Sequence, residues 1–259
     1  MKTTLFTALL FMALQGAQAQ TSGQINYEIV HKIDASKLKF MVNGEEVRQG
    51  DPGFPTDIPD TRTVGQKVTF AGNFVRENRD EQNMMKRVTM EPGTGGVPQM
   101  TNAGRPFEES QITDIANQKI LTLVTVGKDK DAHTYKTEAP IQAVGNWELT
   151  QQTKKIAGYS CQKAVVKYRN EPYTVWITTE LPLRYAPVPA LTPEKGVALL
   201  IEGSREQYRA TKVSLGKVDP ASVQPNERAE TVKAAQLEDI KQKAMADFHQ
   251  TLGPGAGGM

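Results

Sequence analysis

The sequence predicts a mainly β protein: an antiparallel curved sheet, half-barrel or sandwich, followed by a C-terminal amphipathic helix. Three observations predict it. Short segments rich in Val, Ile, Thr and aromatic residues recur through residues 24–218, separated by turns that carry Gly, Pro and Asn. Helical periodicity is almost absent before residue 225. Beyond that point the composition shifts to Ala, Lys, Glu and Gln. Many short strands with turn signals between them build antiparallel sheets, sandwiches or partly open barrels.

The elements follow in chain order. Lys2, the apolar run Leu5 to Leu14 and the small-x-small triplet Ala17-Gln18-Ala19 read as a secretory signal peptide over residues 1–19, with cleavage near Ala19. That apolar run is too short for a permanent membrane span, and no second one exists. Export to the periplasm, the outer membrane or beyond the cell is therefore expected. Gln24 to Ile33 alternates, with Ile25, Tyr27 and Ile29 on one face, and is the first strand. Lys37 to Val42 is a second. Arg48 to Gln66 carries Pro52, Pro55 and Pro59 and reads as an irregular connection. Lys67 to Arg76 and Met84 to Glu91 read as strands, and Pro92 to Pro106 as a Gly/Pro-rich loop. Lys119 to Val126 and Thr134 to Ile141 form a strand pair.

Three strands with short turns come next: Asn146 to Lys154, Tyr159 to Arg169 and Tyr173 to Thr179. Four prolines interrupt the pattern between Pro182 and Pro193, and Gly196 to Gly203 and Tyr208 to Val218 close the β region. One β domain over residues 20–220 is expected. In residues 225–251, Val232, Leu237, Ile240, Ala244 and Phe248 fall near helical spacing, and Gly253-Pro254 stops the helix. Residues 252–259 read as a disordered tail.

Composition excludes some functions. With 31 Lys and Arg against 29 Asp and Glu, the net charge of +2 falls to +1 once Lys2 leaves with the signal. That balance argues against a nucleic-acid or polybasic membrane-surface role. The catalytic motifs of serine hydrolases, zincins, dithiol enzymes, phosphate loops and dinucleotide folds are missing. No cofactor is expected.

Three candidate chemistries remain. Trp147 and Trp176, with Tyr159 and Tyr173, sit on neighbouring strands; they can line a cavity for a hydrophobic ligand or form ordinary sheet core. The single cysteine, Cys161, reads as a small buried thiol within a strand, or as an enzyme nucleophile if His31 or His133 approaches it. Met84, Met85, Met90 and Met100 offer soft sulfur for Cu(I), although adjacent Met84 and Met85 point to opposite faces of a strand.

The stretch Trp147-Glu148-Leu149-Thr150, then Lys154 to Ala164 with Gly158-Tyr159-Ser160-Cys161, then Tyr173-Thr174-Val175-Trp176-Ile177-Thr178-Thr179-Glu180-Leu181-Pro182, resembles the GLPGLI family of exported Bacteroidota proteins. Gly23-Gln24-Ile25-Asn26-Tyr27 resembles that family's opening strand. The name-giving motif is diverged: Leu191-Thr192-Pro193-Glu194-Lys195-Gly196 occupies its place. The resemblance implies export and a β-rich fold and carries no established activity. The expected function is a non-enzymatic envelope protein that binds a hydrophobic small molecule or an envelope protein partner. An enzyme using Cys161 and copper handling by the Met84–Met100 region are the alternatives.

Overall fold

The computed structural model describes residues 22–37, 39–42, 45–52, 54, 57–80, 85–90 and 98–252. The expected signal peptide, Met84 and residues 253–259 of the expected tail lie outside the described residues. The strands in chain order are β1 (Ser22–Lys32), β2 (Lys39–Val42), β3 (Glu45–Arg48), β4 (Thr61–Ala71), β5 (Phe74–Arg79), β6 (Met85–Met90), β7 (Pro98–Gly104), β8 (Glu108–Asp114) and β9 (Lys119–Val126). They continue with β10 (His133–Pro140), β11 (Glu148–Ile156), β12 (Tyr159–Tyr168), β13 (Glu171–Thr178), β14 (Val197–Glu202), β15 (Glu206–Leu215) and β16 (Glu230–Thr231), and end in the helix α1 (Ala234–Leu252). The chain is thus mainly β with one C-terminal helix.

Twelve strands form one open sheet in the order β11-β12-β13-β14-β15-β1-β4-β5-β8-β9-β10-β16. Every pairing in it is antiparallel except β10 with β16. Two small hairpins, β2-β3 and β6-β7, stand apart from it. No helix among the described residues is long and apolar enough to cross a membrane.

The sheet is strongly curled. Buried residues of seven adjacent strands, β12 through β5 in the sheet order, join one cluster with the proline-interrupted segment. The main core fills the concavity. Ile25, Tyr27 and Ile29 of β1, Val68 and Phe70 of β4, Val75 of β5 and Cys161 of β12 share one buried cluster with Tyr185 and Leu191 from the proline-interrupted segment. A smaller cluster seats the helix: Leu237 and Ala244 pack with Phe107 and Val124. The helix starts at Ala234, later than the spacing suggests, because Glu230 and Thr231 first extend beside Tyr135 and Lys136 of β10. Gln236 Oε1 accepts from the Lys233 backbone N–H at 2.9 Å, half of a capping box at that start.

Several connections differ from their expected form. Lys67 to Arg76 is a hairpin rather than one strand, turning at Gly72, whose φ of +58° suits glycine. The irregular connection expected up to Gln66 ends earlier, since β4 begins at Thr61 and pairs along the whole of β1. The expected loop Pro92 to Pro106 contains β7, which pairs with β6. The turn expected at Asn170-Glu171-Pro172 is made one residue earlier by Arg169 and Asn170, with φ of +50° and +64°.

One margin of the sheet is free. Among the described residues no strand pairs with the outer edge of β11. Its ladder to β12 breaks between Leu149 and Thr153. There the Thr150 hydroxyl donates to the Lys163 carbonyl and Gln162 Nε2 donates to the Thr150 carbonyl, holding the bulge in place. Bulges and lysines, here Lys154 and Lys155, blunt an edge against unwanted pairing.

Candidate functional site

The four aromatic candidates do not share one cavity. Trp147 stands just before β11, its indole N–H donating to the Val144 carbonyl at 3.0 Å. The Val144 N–H in turn donates to the Ala190 carbonyl at 2.9 Å, tying this approach to the proline-interrupted segment. Trp176 is core, 8% exposed. Its indole N–H donates to Glu202 Oε2 at 3.1 Å, and Lys154 Nζ sits 4.0 Å from its ring centroid. Tyr159 packs against the main core. Tyr173 lies at the other end of the β12-β13 hairpin, its ring 5.5 Å from that of Tyr168.

Trp147 does line a groove of about 1010 Å³. Leu149 and Thr153 of β11, Gln162 of β12 and Ile177 of β13 contribute to it, and Arg184 and Lys195 come from the segment before β14. The alternation of β12 explains this face: Cys161 turns into the core, so Ser160 and Gln162 turn outward. Leu149 is 66% exposed there, an apolar side chain left uncovered. The walls carry both charges. Glu180 Oε1 accepts from the Ser160 backbone N–H at 2.9 Å, and Arg184 Nε donates to the Pro193 carbonyl at 2.8 Å.

Cys161 is fully buried and its Sγ lies 3.7 Å from the Tyr159 carbonyl. Burial first, then the nearby Glu180 charge, pushes its thiol up to about 11. A thiol held there supplies almost no thiolate at neutral pH. The histidines are committed elsewhere: His31 Nδ1 is 4.0 Å from Glu206, and His133 Nε2 is 3.0 Å from Glu230. A buried, protonated thiol with both of these histidines turned to carboxylates gives the nucleophile alternative no support. Of the methionines, Met84 lies outside the described residues. Met85, Met90 and Met100 take register places opposite Gly104, Pro98 and Val88 on β6 and β7, and their side chains are likewise outside what is described. Among the described residues no group of His, Cys, Asp and Glu is arranged to hold a metal ion.

A buried polar cluster escaped the sequence reading. Glu77 on β5 is 3% exposed and shares the core face with Val75. Tyr185 donates its hydroxyl to Glu77 Oε1 at 2.9 Å, and Gln66 Nε2 donates to Oε2 at 2.7 Å. Burial outweighs these bonds and the Arg79 charge, raising the Glu77 carboxyl to about 7. Gln66 Oε1 is buried without a partner. Burial, and then the same carboxylate, drive the hydroxyls of Tyr27 and Tyr185 well above the ordinary tyrosine range. An acid in phase with Val75 was the available signal, hidden while the turn at Gly72 went unread.

Residues 94–245 match the family model for the N-glycanase peptide, N-terminal domain. Two solved structures resemble the fold. A structure of PNGF-II in space group C2 is 15% identical with a TM-score of 0.52, the match covering 86% of this chain and 33% of that one. A structure of PNGF-II in space group P21 is 16% identical with a TM-score of 0.50, covering 87% of this chain and 34% of that one. This chain thus spans about a third of the solved chains it matches. No curated protein matches the sequence.

Proposed function

Because the chain belongs to the N-glycanase peptide, N-terminal domain family, we propose that it is an exported recognition module that binds an extended polypeptide segment of an envelope partner. The observation that carries this is the open groove with Trp147, Leu149 and Ile177 beside the free edge of β11. A lipid carrier needs an enclosed apolar cavity. This groove instead mixes apolar anchors with Thr153, Gln162, Glu180, Arg184 and Lys195. Polypeptide offers the matching mixture of apolar and charged side chains and a backbone that can run beside a strand. The solved relatives extend well beyond the matched region, so recognition fits a part of such a protein. Kinship with the GLPGLI family, suggested by residues 147–182, stands beside it as a further proposal.

Photo-crosslinking in the producing cell's envelope tests the reading. A crosslinking amino acid at Leu149 is expected to capture one discrete polypeptide. The same probe at Leu215, an exposed leucine of β15 (54%) outside the groove, is expected to capture none of it. Equal labelling from both positions would sink the reading. Lipid alone recovered from Leu149 would move it to the hydrophobic-ligand alternative.

A further inference from the structure

We propose a second binding site, for a small oxyanion-bearing ligand, in the cavity where the β12-β13 turn, the β14-β15 turn and the end of β1 meet. The cavity measures about 460 Å³ and lies at the far end of the β12-β13 hairpin from the groove. Lys32, Arg169 and Arg205 line it, with His31 beside them. None of those three cations makes a carboxylate ion pair among the described residues. The two carboxylates on the wall accept from hydroxyls, and Glu206 also has His31 Nδ1 at 4.0 Å. Glu206 accepts from the Tyr173 hydroxyl at 3.1 Å and from the Tyr208 hydroxyl at 3.2 Å, and Glu171 accepts from the Ser204 hydroxyl. Three cations against two carboxylates leave the cavity net positive.

The walls are preorganised. The Lys32 backbone N–H donates to the Arg205 carbonyl at 2.8 Å, fixing the end of β1 to the β14-β15 turn. Tyr173 lies so close over Gly203 that a Cβ there would come within 2.5 Å of its ring, so only glycine lets the ring close the cavity. Arg169 holds the left-handed φ of +50° that its two-residue turn needs. Asn or Gly fills such a place more comfortably. Two arginines on one rim, both exposed and with Arg169 stacked on Tyr168, can offer a planar or tetrahedral oxyanion paired N–H bonds. Carboxylate of an acidic sugar and a phosphoryl group share that chemistry.

The test is a ¹⁵N chemical-shift titration of the full chain at constant ionic strength, with sodium glucuronate, inorganic phosphate and neutral methyl glucoside in turn. Glucuronate or phosphate is expected to shift the amides of Asn170, Gly203 and Arg205 in a saturable way. The double variant Arg169→Asn with Arg205→Gln, both at exposed turn positions, should weaken that binding at least tenfold while its remaining spectrum stays folded. Tighter glucuronate names an acidic sugar as the source; tighter phosphate names a phosphorylated ligand. No saturable shift, an unchanged affinity in the double variant, or equal shifts with methyl glucoside would overturn the proposal. None of these results depends on the groove around Leu149.

Discussion

Glu77 sets a measurable pH dependence on a single side chain. Between the ordinary carboxylate range near 4.5 and its folded value of about 7, the folded chain keeps a proton that the unfolded chain has released. Stability therefore falls as pH rises through that window, by a total of about 3 kcal/mol if only this group contributes. Glu77→Gln removes the burden. Its amide oxygen still accepts from Tyr185, and once the Gln66 amide turns over, its NH₂ donates to Gln66 Oε1, leaving Gln66 Nε2 as the unpartnered atom in place of Oε1. The variant is expected to melt several degrees above the wild type at pH 8 and to lose that advantage below pH 4.5, as read by calorimetry; equal melting temperatures at both pH values would refute it. Arg169→Asn relaxes a left-handed arginine but gives up its stacking on Tyr168 at 4.9 Å. The two effects offset, so stability should stay within about 0.5 kcal/mol in urea titration. At this scale the sequence was partly legible. Cys161 as a buried thiol followed from its apolar strand. The arginines of the second cavity come from turns far apart in the chain, and no local pattern links them.

At the level of elements, the helix is held by few contacts and is correspondingly sensitive. Leu237 is 3% exposed against Phe107 and Val124. Leu237→Ala should cost about 2–3 kcal/mol. Urea denaturation checks the size, and a loss below about 1 kcal/mol would mean the site collapses to fill the space. Gly203→Ala should displace the Tyr173 ring without changing β14 or β15 pairing, visible as shifted aromatic resonances with an intact β spectrum. Elements whose signal is local were readable. Lys119–Val126 was delimited to the residue, and the alternation of Ile25, Tyr27 and Ile29 marked the core face of β1. Elements stabilised by partners were not. The Pro98–Gly104 strand is rich in turn formers and exists through its pairing with β6, and Glu230–Thr231 extends only because β10 lies beside it. Tertiary context overrode propensity at both.

Across the whole molecule, the sheet should be unequal in stability from centre to margin. β1 is hydrogen-bonded on both sides, to β4 and β15, and its Ile25 and Ile29 are buried. β11 has one neighbour and a broken ladder. Native-state hydrogen exchange is expected to protect the amides of Ile25 and Ile29 at the global limit, while residues 150–153 exchange through local opening. Uniform protection would contradict this. The mainly β class with a closing helix was legible, because period-two patterning sets it. The strand order was not, since the β1–β15 pair joins residues nearly two hundred apart. The two margins of the sheet also differ in kind. Glu230 and Thr231 plug the middle of the β10 margin, whereas Glu148–Ile156 remains open. Among the described residues, β11 is thus the margin of the main sheet that no strand covers at all. Two copies meeting through that margin would satisfy each other and stop, as a twofold pair does. A filament needs two reactive margins per unit, so addition through the β11 margin alone would end a growing β assembly rather than extend it.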